Sequence, residues 1–144
     1  MIDLDNQTTL EVNIDLLEEI AQALSAKEVE LIITDDESIQ ALNAAYRDKN
    51  STTDVLSFPL DAPFTEASVF GMPLGSIVIA ASFVKEKASF FGHSVQDELS
   101  LLFIHGMLHL LGFDHEVDSG EMREREAALI KQFDLPKSLI VRME

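Results

Sequence analysis

The chain has 144 residues, long enough to bury one core, and its 47% hydrophobic and 25% charged content is that of an ordinary globular fold. It has no cysteine, which excludes disulfides and thiolate metal sites and leaves only nitrogen and oxygen ligands for any ion. Ten Lys and Arg against 26 Asp and Glu give a formal charge of -16, which argues against a broad basic face and confines any nucleic-acid activity to a local positive site.

No run of residues is apolar for long enough to span a bilayer. The amino terminus, MIDLDNQTTLEV, lacks the basic start and apolar stretch of a secretory signal. A cytoplasmic protein with no membrane partner is expected.

Residues 9–14 read as a short first strand. Asp15 is placed to cap a helix whose Leu16, Leu17, Ile20 and Leu24 share one face. Residues 29–34 alternate and are β-branched, the pattern of a second strand. Asp35 and Asp36 can cap a helix running to about Tyr46, with Ile39 and Leu42 inward. Residues 54–59 make a third strand ended by Pro59, and residues 61–73 a loop that is a candidate for mobility. The nearly continuous apolar run over residues 74–80 is expected of a central strand. Helices follow at about residues 81–90 and 95–111. A last, highly charged helix covers about residues 119–133, packing through Met122, Ala127, Leu129 and Ile130, with the run from Glu121 to Glu126 as its solvated face. The chain shows no repeat or linker. The expectation is an α/β fold: a single domain over residues 1–144, with one mostly helix-covered mixed sheet of about four strands and a buried helix bearing histidines.

Three of the four histidines fall within eleven residues, in HGMLHLLGFDH from His105 to His115. His105 and His109 are four apart on a helix, so their imidazoles leave one face roughly 6 Å apart at Cβ. That spacing suits two ligands of one ion at about 2.0–2.1 Å each. Gly112 supplies a left-handed turn that can return His115 as third ligand. The rest of this helix is apolar on nearly every side, so buried imidazoles there need partners. A Zn2+ ion, one per chain, is the expected cofactor, although Ni2+ or another divalent ion fits an all-imidazole site. Three neutral ligands leave an open position and a full positive charge, the make-up of a catalytic site. Asp114, Glu116 or Asp118 could close the site as a fourth ligand, with Asp114 better placed to orient a histidine. The spacing HxxxHxxGxxH also occurs in metzincin peptidases, but those carry a glutamate base where this chain has Gly106.

HGMLHLLGFDH, together with Tyr46-Arg47-Asp48-Lys49, TDVLSFP from Thr53, LGSIVIA from Leu74 and Asp97-Glu98-Leu99, strongly resembles the YbeY family of bacterial endoribonucleases. The resemblance implies a single-strand-specific, metal-dependent endoribonuclease in rRNA maturation, including 16S rRNA 3′-end processing, and in ribosome quality control. Its partners would be single-stranded RNA or rRNA and the ribosome or ribosomal proteins. It implies that His105, His109 and His115 hold zinc and that Arg47 acts in catalysis or substrate binding, with Arg47 and His105 as the catalytic residues. One departure is Ser76, where family members usually carry Asp.

Taken alone, Arg47 reads first as a helix-end arginine satisfied by the helix dipole; the resemblance moves it to the site, where its planar fork of donors fits phosphate oxygens. Lys49, Lys85 and Lys87 could extend a basic groove or be solvated. Thr53, Asp54 and Ser57 could bind substrate or support site groups but read first as cap and turn residues; His93 reads as a non-ligand; Phe90 and Phe91 could stack on bases but read first as core. Two rival readings stand beside the nuclease: a non-catalytic ribosome-assembly factor with structural zinc, and, further behind, a zinc peptidase.

Overall fold

The computed structural model describes residues 2–59, 73–114 and 117–136. The loop expected over residues 61–73 therefore lies, apart from Pro73, outside the described residues.

Strands β1 (Ile2–Asn6), β2 (Val29–Thr34), β3 (Val55–Pro59) and β4 (Gly75–Ala80) form one sheet in the order β1-β2-β4-β3. β1 and β4 both run parallel to β2, while β3 pairs antiparallel with β4 at the edge. The central place of β4 matches its apolar run. The first strand differs from expectation. It is Ile2–Asn6, which turns Ile2 and Leu4 toward the core. Residues after it form a turn in which Asn6 accepts from the Thr8 amide and donates to the Leu10 carbonyl.

Five helices complete the described chain: α1 (Ile14–Leu24), α2 (Asp36–Arg47), α3 (Ala81–Phe91), α4 (Val95–Leu110) and α5 (Glu121–Gln132). Asn13, not Asp15, caps α1 by accepting from the Leu16 amide. Asp35 caps α2 through the Ser38 amide, and Ser94 caps α4 through the Asp97 amide, each at its helix's natural first turn.

Strand alternation sorts the residues onto two faces. Val29, Leu31, Ile33, Ile77 and Ile79 point to the larger cluster, where α1, α4 and α5 contribute Leu17, Ile20, Leu102, Phe103, Met122 and Leu129. Leu56, Phe58, Val78 and Ala80 point the other way, against Ile39 and Leu42 of α2. Two glycines let the layers close. A Cβ on Gly106 of α4 would lie 2.9 Å from Ile77 Cγ2, so this helix approaches β4 at its only residue without a side chain. A Cβ on Gly75 would lie 2.5 Å from the Phe58 carbonyl oxygen. Glycine at both places sets how closely α4 and β3 seat on β4.

Two packing expectations need correction. Phe90 and Phe91 are not core: Phe90, across α3 from its packed stripe, is 79% exposed, and Phe91, the last residue before the left-handed Gly92, is exposed with it. On α5, Ala127 is exposed, whereas Glu126 is fully buried between Met122 and Leu129 on the packed stripe.

Candidate metal centre

The histidine helix α4 is buried along almost its whole length, and His105 is only 6% exposed. Its end is a tight turn. The Phe113 amide donates back to the Leu108 carbonyl and the Gly112 amide to the His109 carbonyl, with Gly112 at φ 96. This paired pattern requires a left-handed residue, which glycine adopts without strain. By reversing the chain, the turn brings the Phe113 carbonyl to 3.0 Å from Nδ1 of His109.

On His105, Nδ1 faces the Glu126 carboxylate at 3.4 Å. Both Nδ1 atoms therefore meet acceptors, which favours the tautomer that carries its hydrogen there. In that tautomer the Nε2 lone pairs point at one another, and the two atoms converge: 3.1 Å separates them, with the rings near perpendicular. Two lone pairs held this close repel unless a positive charge lies between them. Tetrahedral zinc nitrogens stand about 3.3 Å apart and octahedral ones about 2.9 Å apart at ordinary bond lengths. The observed separation falls between. Imidazoles backed at Nδ1 by a carboxylate and a carbonyl are also the usual surroundings of metal-bound histidine. The pair fits a divalent cation.

His115, the third expected ligand, lies outside the described residues, as does Glu116. Among the described residues no group of three His, Cys, Asp or Glu converges as a metal site. A carboxylate that meets a ligand ring is that of Glu126, a role for which sequence reasoning favours Asp114. Through this contact Glu126 meets the Nδ1 side of the His105 ring, away from the converging Nε2 atoms. Gly106 points at Ile77, so the position of a peptidase base faces the sheet and not the histidines.

Arg47 ends α2, and Asp48 follows in the left-handed region. Its guanidinium donates to the Ser57 carbonyl and lies 5.6 Å from the Phe58 ring centre. Ser57 in turn donates its hydroxyl to the Gly106 carbonyl at 3.1 Å. One short relay thus joins Arg47 to the residue beside His105, although no hydrogen bond or ion pair among the described residues joins Arg47 itself to a histidine. Asp54 serves its turn, accepting from the Val55 amide and the Thr53 hydroxyl. His93 pairs with buried Glu98 at 2.8 Å, in keeping with a non-ligand. Lys49 lies exposed just past α2; Lys85 and Lys87 ride on α3, where no hydrogen bond or ion pair among the described residues ties them to the site.

The family model for "Endoribonuclease YbeY" matches residues 2–134. This chain belongs to the endoribonuclease YbeY family. Proteins named Endoribonuclease YbeY are similar to it throughout: that of a Sulfurovum species is 64% identical over 99% of this chain and 97% of its own length. The Sulfurimonas denitrificans protein is 55% identical over 100% and 99%, and the Helicobacter pylori protein 51% identical over the same shares. The solution structure of TM1509 from Thermotoga maritima is similar at TM-score 0.58 and 28% identity, covering 92% of this chain and 89% of that one.

Within the YbeY fold, Ser76 is on the sheet face away from α4, flanked by Phe58 and Glu30 in the register. Its hydroxyl donates to Glu30 at 2.7 Å. The carboxylate at this spot thus comes from the neighbouring strand, and it sits on the opposite face from the histidine helix. Sequence reasoning missed Glu126, and it weighed Ser57 for the site but ranked cap and turn duty first. A signal for Glu126 existed: Met122, Glu126 and Leu129 follow the period of one helix face.

Proposed function

We propose that this YbeY chain is a metal-dependent endoribonuclease that cuts single-stranded RNA, with a divalent ion, zinc by preference, held by His105, His109 and His115. The observation that carries the reading is the convergence of the two Nε2 atoms at 3.1 Å with both Nδ1 atoms backed by acceptors. When bound, the ion supplies Lewis-acid charge for phosphodiester cleavage. Glu126 and the Phe113 carbonyl hold the two rings so that their Nε2 atoms face one point. Arg47 keeps one nitrogen on the Ser57 carbonyl and presents its remaining donors to a phosphate, where charge grows as the bond breaks.

The substrate would be rRNA at its 16S 3′ end, met on the ribosome or its precursors in the cytoplasm. The charge of -16 suits a protein that touches RNA at one focused site and reaches basic ribosomal proteins elsewhere. A test pairs elemental analysis with cleavage of a single-stranded RNA. His109→Ala should lose both metal and cutting, while Arg47→Ala should keep the metal and cut at least about 100-fold more slowly, as for a lost transition-state donor. Cutting at the wild-type rate by both variants would sink the reading.

A further inference from the structure

The motif that carries Arg47 begins with Tyr46, and the reaction leaves Tyr46 without a task. Tyr46 is 69% exposed, and with Phe90 and Phe91 it is among the few described aromatic residues that do not pack into the core. It is not loose. The ring rests edge-on against Phe58 at 5.5 Å and 68°, and the Arg47 guanidinium lies over the same Phe58 ring. Phe58 itself is packed into the smaller core cluster, so Tyr46 stands on a fixed base. One aromatic face is thus presented to solvent beside a cation.

Its location matters. Phe58 follows Ser57, the residue that receives Arg47 on its carbonyl and reaches Gly106 with its hydroxyl. β3 is one of the two edge strands of the described sheet, with Ser57 turned to the histidine helix and Phe58 to the other face. Arg47 reaches that edge at the Ser57 carbonyl. A strand of RNA held by Arg47 at a phosphate therefore has the histidine helix on one side of the edge and the Tyr46 ring on the other.

We propose that Tyr46, supported by Phe58 and Arg47, is a stacking platform for one unpaired nucleobase of the substrate strand. The proposal rests on the nuclease reading and supplies what that reading lacks, since a strongly acidic protein gains little from long-range attraction to RNA and needs a contact that does not depend on charge. It also gives single-strand selectivity a cause. A base inside a duplex keeps its faces covered by its neighbours and cannot lie on Tyr46, whereas a splayed base can.

The chain has one tyrosine and no tryptophan, so its tyrosine emission reports on residue 46 alone. The metal-loaded protein is titrated with a single-stranded 2′-O-methyl RNA decamer, with binding followed independently by anisotropy of an end label. Saturating quenching of the tyrosine emission in step with binding is expected, and an abasic decamer should leave the emission unchanged. In cleavage assays Tyr46→Ala should raise KM roughly 5- to 100-fold, the span measured for losing one base–aromatic stack, with kcat within about twofold, while Tyr46→Trp should restore KM. Binding without quenching, or an unchanged KM in Tyr46→Ala, overturns the platform and leaves the nuclease reading standing. Failure of the wild-type protein to bind or cut any RNA removes that reading and the platform with it.

Discussion

At His105 the two ring nitrogens meet different chemistry, and the difference sets what the residue can do. Nδ1 faces the buried Glu126 carboxylate and Nε2 faces its counterpart on His109. If Glu126 holds the tautomer, Glu126→Ala should weaken the metal about 10- to 100-fold, the usual cost of losing such an orienting partner. Glu126→Gln, whose amide oxygen can still accept from Nδ1, should lose less. Competition against a chromophoric chelator measures both, and equal affinity in all three proteins would show that Glu126 only fills space. The histidine pair was legible because two imidazoles four apart on an apolar helix have few other uses. Glu126 was not, because its neighbours Glu121, Arg123, Glu124 and Arg125 make the segment read as a solvated face. The helical period, which places Glu126 in line with Met122 and Leu129, outweighs that local charge once α5 packs on α4. Phe90 and Phe91 fail in the opposite sense: they are apolar, but Phe90 lies across α3 from the packed stripe of Ala81, Val84 and Ala88, and Phe91, the last helical residue, stays exposed with it.

Among the elements, the end of α4 carries the most function per residue. Gly112 has open space around a would-be Cβ but a φ of 96, so Gly112→Ala costs conformational strain alone, about 1–3 kcal/mol. Because that turn also delivers the Phe113 carbonyl to His109, metal affinity should fall with stability, and urea unfolding alongside the chelator competition would expose a loss of one without the other. Helix caps give a second expectation. Hydrogen bonding from the Ser38 backbone amide, then from its side chain, holds the Asp35 carboxyl below the ordinary carboxylate value. A lowered folded value means that the stabilisation is complete above the unfolded pKa of about 3.9 and disappears as pH falls through the folded one. Asp35→Asn keeps the acceptor without the charge, so its melting temperature should drop less steeply in that acid range; parallel acid limbs would contradict this. The helices and the central strand were readable from caps and apolar period. The first strand was not, because Ile2–Asn6 carries Asp3, Asp5 and Asn6, residues poor in intrinsic strand preference. Pairing with β2 decides the matter there, and that information is not local to the segment.

For the whole molecule, a charge of -16 and an RNA substrate have to be reconciled. An ordinary nucleic-acid binder loses affinity steeply with salt, since each neutralised phosphate releases counterions. Here Arg47 is the cation that the fold fixes at the site, with Lys49 exposed close behind it. One or two phosphate contacts on a single strand give a slope of log affinity against log salt of only about -0.7 to -1.4. The acidic remainder of the surface works against even that, because added salt screens its repulsion of the incoming strand over a Debye length of about 10 Å. The two effects have opposite signs. KM for a single-stranded RNA should therefore change by less than about tenfold between about 50 and 200 mM salt, and at the lowest ionic strengths it should improve as salt is added. A steep, monotonic loss of the kind seen with six or more phosphate contacts would mean that a basic surface forms in the bound protein, and that the single focused contact at Arg47 is not how this chain holds RNA.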